Sequence, residues 1–372
     1  MGMTLVANGL EYSAWDSISV TAKMSAAARS FSLSLAEFDI GTLKDNYWLA
    51  PGDHVKVYAD GIKILDGYVN KYKTSFNASG HSITISGRSK SQDSVDSSAT
   101  HPTGRFENTR LSAIANTLAG SVGNSVSIDV TDPMVGKFQV NQGETITSAI
   151  DRLARAHGLV LTGQADGTML LTKGTDKKRY KMHIGEGVPP VLSMSASISD
   201  AKRFSNYTFK SQMSGWEQRF GTDASGAIAE VADKAVKRYR PMVAVMEVSG
   251  GSQEAEKRAG WQAGRVAGAN TKVDVVCQGF TFDGALWEPN KLIYVRSILA
   301  KIDAEMLVSE CVYTQSGEGS KTSMKLVPPS AMGGSGKSAS GSGDAAWGGK
   351  REVKIHHPPF KPIPSDKIFG PI

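Results

Sequence analysis

Cysteine is nearly absent from this chain of 372 residues: there are two, Cys277 and Cys311. One pair cannot build a disulfide framework, and no CxxC is present for zinc or thiol redox work. Both sit in apolar, strand-like runs, VDVVCQGF and LVSECVYT. They read as small buried hydrophobes in a reducing compartment. Long apolar runs are missing too. No stretch reaches the roughly 18 residues of a membrane-spanning helix, so no membrane anchor is expected. The opening MGMTLVANGLEYSAW has neither a basic start nor an apolar core. It does not read as a signal peptide, which implies folding in the cytoplasm.

The common catalytic signatures are also lacking. HExxH and GxSxG do not occur. The seven histidines, His54, His81, His101, His157, His183, His356 and His357, are scattered. His356-His357 is a metal half-site at most, because adjacent residues seldom converge on one ion. Gly334-Ser335-Gly336-Lys337-Ser338 imitates the end of a phosphate loop, but Ala331 stands where the first glycine belongs. It also lies in polar Gly/Ser sequence rather than between a strand and a helix. Glu230, Asp233, Glu254 and Glu256 read as solvated surface, not as a glycosidase pair. No cofactor and no metal are expected, and the chain reads as a non-enzyme.

Net charge is +6 and the pI about 9.1. Two basic segments stand out, 176–181 with Arg179 and Tyr180, and 234–240 with Arg238, Tyr239 and Arg240. Arginine beside tyrosine suits phosphate contact with base stacking, and it suits a protein interface equally. Nucleic-acid binding through these segments is therefore one alternative. A cell-wall hydrolase is another, with no convergent acidic pair to support it.

Period-two alternation dominates what is present. Phe31, Leu33 and Leu35 alternate with serines, as in a half-buried strand. Asp60-Gly61 suits a type I′ hairpin turn between 55–59 and 62–65, and Asp66-Gly67 suggests a second turn. Residues 1–97 thus read as a small barrel-like β domain. Residues 98–185 read as an α+β module. Its first helix is expected from Asn108 as N-cap to Gly120, its second over 146–156 with Gly158 as stop. A hairpin follows at Asp166-Gly167.

Residues 186–330 return to strands around a helix at 252–268, with 213–236 read as a long loop. Trp287, Pro289 and Asn290 suggest a turn with an aromatic anchor. Residues 331–350 form a Gly/Ser linker. The tail 351–372 is Pro-rich with apolar Ile355, Phe360, Ile363 and Phe369; it is either a docking peptide or a disordered end. The fold class is mainly β with α+β.

Several segments together resemble a known family. KRYRPMVAVME (237–247), the charged helix SQEAEKRAGWQAGRVAG, GALWEPNKLIYV (284–295) and MLVSECVYTQSGEGSKTSMKLVPPSAM (306–332) are similar to the Mu-like tail hub proteins. So are LAPGDHVKVYADGIKILDGYV and VNQGETITSAIDRLARAHGLVL. Order and spacing agree over about residues 4–330, and 351–372 has no counterpart. The late-control D proteins of other contractile phages are similar more distantly. The resemblance implies two tube-like β-barrel domains per subunit and a homotrimeric, pseudo-sixfold ring in the virion's tail baseplate. The ring would join the tail tube protein to the central spike and contact the wedge proteins, with DNA only in transit. Interface candidates are then Arg179, Tyr180, Arg238, Tyr239, Arg240, Trp287, Pro289, Asn290 and Phe360.

Overall fold

The computed structural model describes residues 2–13, 15–36, 49–77, 80–174, 178–210, 228–233, 236–245 and 252–333. The first block contains β1 (Met3–Ala7), β2 (Leu10–Tyr12), β3 (Ser17–Lys23), β4 (Ser30–Ala36), β5 (His54–Ala59), β6 (Ile62–Asn77) and β7 (Gly80–Ser89). Phe31, Leu33 and Leu35 are buried, and the serines between them face outward. Asp60 and Gly61 both have positive φ, 49° and 80°, and turn β5 into β6 as a tight hairpin requires.

The second expected turn is not one. Asp66 and Gly67 lie inside β6, paired with Lys56 and Val55. A Cβ at Gly67 would fall 2.0 Å from the carbonyl oxygen of Arg88, so glycine permits close strand approach here rather than reversal. Asp66 is buried and held by His54 at 2.7 Å, Lys90 at 2.8 Å and Lys63 at 3.2 Å. Burial opposes its charge, but hydrogen bonds from Lys90, His54 and Lys63 outweigh it and hold the pKa at about 2.

The middle module comprises α1 (Gln92–Asp96), β8 (Arg105–Arg110), α2 (Leu111–Gly120), β9 (Val126–Ile128), β10 (Met134–Gln139), α3 (Ile146–Ala156), β11 (Val160–Gly163) and β12 (Met169–Thr172). It has its own core, in which Ile114, Leu118, Ile150 and Leu153 pack with Leu161 and Leu171. Thr145 caps α3 by accepting from the Ser148 backbone N–H at 3.2 Å, and Gly158 follows at φ 70°. Asn108 does not cap α2. It sits within β8 at φ 44°, and Asp132 does the capping by accepting from the Ser112 backbone N–H at 3.1 Å. Gly120 is the last helical residue, and the left-handed position falls at Gly123.

Next come β13 (Arg179–Ile184), β14 (Val191–Ile198), β15 (Asn206–Lys210), β16 (Ile228–Ala232), β17 (Pro241–Val245), α4 (Ser252–Ala269) and β18 (Thr271–Gln278). Last are β19 (Thr281–Phe282), β20 (Ala285–Leu286), β21 (Leu292–Ser297), β22 (Ile302–Ser316), β23 (Gly319–Val327) and a 3₁₀ turn, Pro329–Met332. The loop expected over 213–236 contains β16, which pairs with β15. Strands β16, β15 and β17 form a small sheet, and Arg258 of α4 stacks 5.0 Å from the Phe209 ring centroid. The start of the expected linker is folded, with Ala331 buried. The rest of 331–350 and all of 351–372 lie outside the described residues.

One sheet of 13 strands runs through both β blocks, in the order β14-β18-β23-β22-β3-β4-β7-β6-β5-β1-β2, with β21 on β22 and β13 on β21. The order repeats. β3-β4-β7-β6-β5 in the first block corresponds to β14-β18-β23-β22-β21 in the second. The long strands match, 16 residues in β6 and 15 in β22. Each also bulges at the same place, between Val69 and Lys71 and between Val308 and Glu310. The blocks meet at β3 and β22 and share one hydrophobic core.

Candidate assembly surfaces

Trp287 follows β20 and is fully buried. The Tyr180 ring lies 4.8 Å from it between centroids, and the Phe282 ring stacks at 5.7 Å. The Tyr180 hydroxyl donates to the Leu286 carbonyl at 2.9 Å and accepts from the Glu288 N–H at 2.8 Å. The Tyr313 hydroxyl donates to the Trp287 carbonyl. Burial drives both phenol pKa values far above their ordinary range. Asn290, at φ 62°, donates from Nδ2 to Thr172 Oγ1 at 3.0 Å, which ties the turn to the middle module. Trp287 and Tyr180 therefore face inward and brace the 284–292 turn. They are not on the surface where an interface residue must be, because β13 pairs with β21 and carries Tyr180 into the core. Pro289 and Asn290 are half-buried beside them.

The described cations of the basic segments are on the surface, and three of the arginines have carboxylate partners. Arg179 lies 3.2 Å from Glu305. Arg238 pairs with Asp200, and Arg240 lies 3.9 Å from the same carboxylate and 5.9 Å from the Phe204 ring centroid. Tyr239 between them is 81% exposed. Phe360 lies outside the described residues.

The two cysteines are held away from reaction. Burial pushes the Cys277 thiol up to about 11 and Cys311 still higher. Among the described residues no cluster of three or more His, Cys, Asp or Glu could hold a metal. No described helix is long and apolar enough to cross a membrane.

The arrangement offers strand edges and apolar contacts instead. The contact between the blocks shows the form these take. β3 and β22 pair antiparallel, Ser19 opposite Thr314, Val20 opposite Tyr313 and Ala22 opposite Cys311. Val20, Ala22, Cys311 and Tyr313 point into the core. On the outer face Glu310 lies 3.1 Å from both Lys23 and Lys325. Nothing local in the sequence signals this joint, since alternation gives each strand a face but not a neighbour.

Comparison with known proteins agrees with this picture. Residues 2–89 match the family described as Mu phage baseplate assembly protein GpP-like, N-terminal. Residues 91–173 match baseplate hub protein gp44-like, second domain, and residues 251–334 match Mu phage baseplate assembly protein GpP, fourth domain. The baseplate hub protein gp44 of Escherichia phage Mu is 27% identical over 341 residues, 88% of this chain and 87% of that protein. The chain belongs to the Mu-like baseplate hub family.

The hub fold is also found in the 43 kDa tail protein of prophage MuSo2 from Shewanella oneidensis, at 27% identity and a TM-score of 0.77. That match covers 89% of this hub and 99% of the MuSo2 protein. A tail protein from Neisseria meningitidis MC58 shares the fold at 20% identity and a TM-score of 0.76, over 89% and 98% of the two chains. The hub is thus a structural component of the virion, in the tail baseplate.

Proposed function

We propose that three copies of this hub close into a ring that joins a sixfold tail tube to a threefold central spike. The repeated strand order carries the reading. Each chain supplies two β blocks of one topology, so three chains supply a pseudo-sixfold set while keeping threefold symmetry for the spike. The tail tube protein sits on one side, the spike on the other, the wedge proteins outside, and DNA passes only in transit. The role is scaffolding rather than catalysis. Each subunit interface should bury more than about 1,000 Å². The test is the mass of the purified protein by light scattering across a concentration series, with image averages of assembled baseplates. A trimer with threefold averages is expected. A chain that stays monomeric, in baseplates without threefold symmetry, overturns the reading.

A further inference from the structure

The internal joint leaves two counterparts open. In the second block the far half of β22 accepts β3. Its equivalent in the first block is the far half of β6, Lys71–Phe76. This half pairs with β7 on one side and, among the described residues, with no strand on the other. The equivalent of β3 is β14, which among the described residues pairs only with β18 and ends the sheet. One chain therefore carries both halves of a second joint, on different edges.

We infer that β14 of one subunit pairs antiparallel with the far half of β6 of the next, in the register of the β3–β22 joint. The inference rests on the ring proposed above and names the contact that closes it. The shared bulge and the hairpins ending at Ser316–Gly319 and Asn77–Gly80 fix the correspondence residue by residue. Thr314 corresponds to Ser75, and Ser19 to Ser195, through the pairings of β4 and β18. Translating the internal joint puts Ser195 opposite Ser75, Met194 opposite Phe76 and Ile198 opposite Tyr72.

The side chains suit this register. Phe76 is 88% exposed, Ile198 41% and Tyr72 40%, yet Ile198 and Tyr72 hold the places of buried Ala22 and Cys311, and Phe76 lies on the same face in the place of half-buried Gln315, opposite buried Ile18. The core face of the sheet runs out into solvent at these two edges. The β14 sequence, VLSMSASI, has no charge and no proline, the usual protections of a free edge. An eight-residue edge of that composition calls for cover. A heterologous contact between two different edges of one chain is what a closed ring requires. A second copy of this chain is thus the occupant that both edges fit.

The test is a cysteine pair in the full chain, Ser75→Cys with Ser195→Cys. Directly opposed residues have Cβ atoms about 4.5–5.5 Å apart, close enough to bridge with a small shift. Oxidation of the assembled protein should give a covalent ladder ending at the trimer on a denaturing gel. Thr74→Cys with Ser195→Cys should give none, because the position-74 side chain leaves the other face. As an independent measurement, Phe76→Asp should leave the circular dichroism and melting of the subunit unchanged. It should weaken self-association by roughly thirtyfold or more.

A wild-type trimer without the specific cross-link, or a trimer unmoved by Phe76→Asp, overturns the pairing and leaves the ring standing. A ladder that stops at dimers or runs past trimers overturns closure by this contact. A wild-type protein that never trimerises removes the ring itself.

Discussion

Asn70 and Ser309 hold the same place in two copies of one strand pair: each is the residue left without a partner where a long strand bulges. In the second block the Ser309 carbonyl is taken up by the Met24 N–H at 2.9 Å, just beyond the end of β3. Asn70 is exposed. Amide exchange over 70–76 should therefore slow in the assembled ring relative to a Phe76→Asp monomer, while exchange over 310–316 stays the same. Equal rates at 70–76 in both states would remove this edge from the interface.

Asp66 makes stability depend on acid. Its pKa falls from an ordinary 3.8 to about 2 on folding, so its contribution is complete above about pH 4 and is lost as pH falls toward 2. The shift corresponds to about 2 kcal/mol. Asp66→Asn should lower the unfolding free energy from urea melts at pH 7 by that order, and the gap from wild type should close near pH 2.

Tyr180 and Trp287 should behave as internal braces. Tyr180→Phe leaves the Glu288 N–H without its partner and the Leu286 carbonyl with Lys291 Nζ alone, at a cost of about 1–3 kcal/mol. Trp287→Ala should cost about 3–5 kcal/mol. Denaturant melts measure both. If Trp287→Ala kept full stability but lost assembly, the tryptophan would be an interface residue after all.

Gly67→Ala should be severe, because the new methyl meets the Arg88 carbonyl in a paired strand. A loss of about 3 kcal/mol is expected. Gly120→Ala, in a helix with nothing within 4 Å, is the control and should be neutral or gain about 0.5–1 kcal/mol.

Both cysteines should be silent toward a thiol reagent at pH 8 and react together on unfolding, since each is fully buried with a raised pKa. Rapid labelling of the native protein at either would contradict the core placement.

Truncation after Met332 should leave the trimer intact and reduce spike occupancy. The expectation rests on the sequence, in which Phe360 and its apolar neighbours stand among prolines as in a docking peptide. Normal spike occupancy in tails built from the truncated chain would make the segment dispensable.

The sequence was legible where local chemistry decides. Alternation at Phe31, Leu33 and Leu35, positive φ at Asp60-Gly61, and the α3 face with Gly158 beyond it are all read from neighbours along the chain. It misled where a distant group decides. Asp66-Gly67 has a turn's composition, but His54, Lys90 and the Arg88 carbonyl make it a strand. The α2 cap comes from Asp132, 20 positions on. Tyr180 follows a basic run and looks exposed until β21 is seen beside it. The joint of β3 with β22 lay furthest out of reach, since both strands satisfy their alternation with any neighbour of suitable face.

That joint also orders events in time. The Met3 N–H donates to Gln315, 312 positions away, and β3 finds its neighbour only when β22 exists. At roughly 5–20 residues per second, the nascent first block waits on the order of 10–45 s with a bare strand edge. The whole middle module is made in that interval and can fold on its own core. Chains that stop short of Ser316 should be the ones that clump, and conditions that stall the ribosome after the middle module should deplete soluble hub before any subunit has met another.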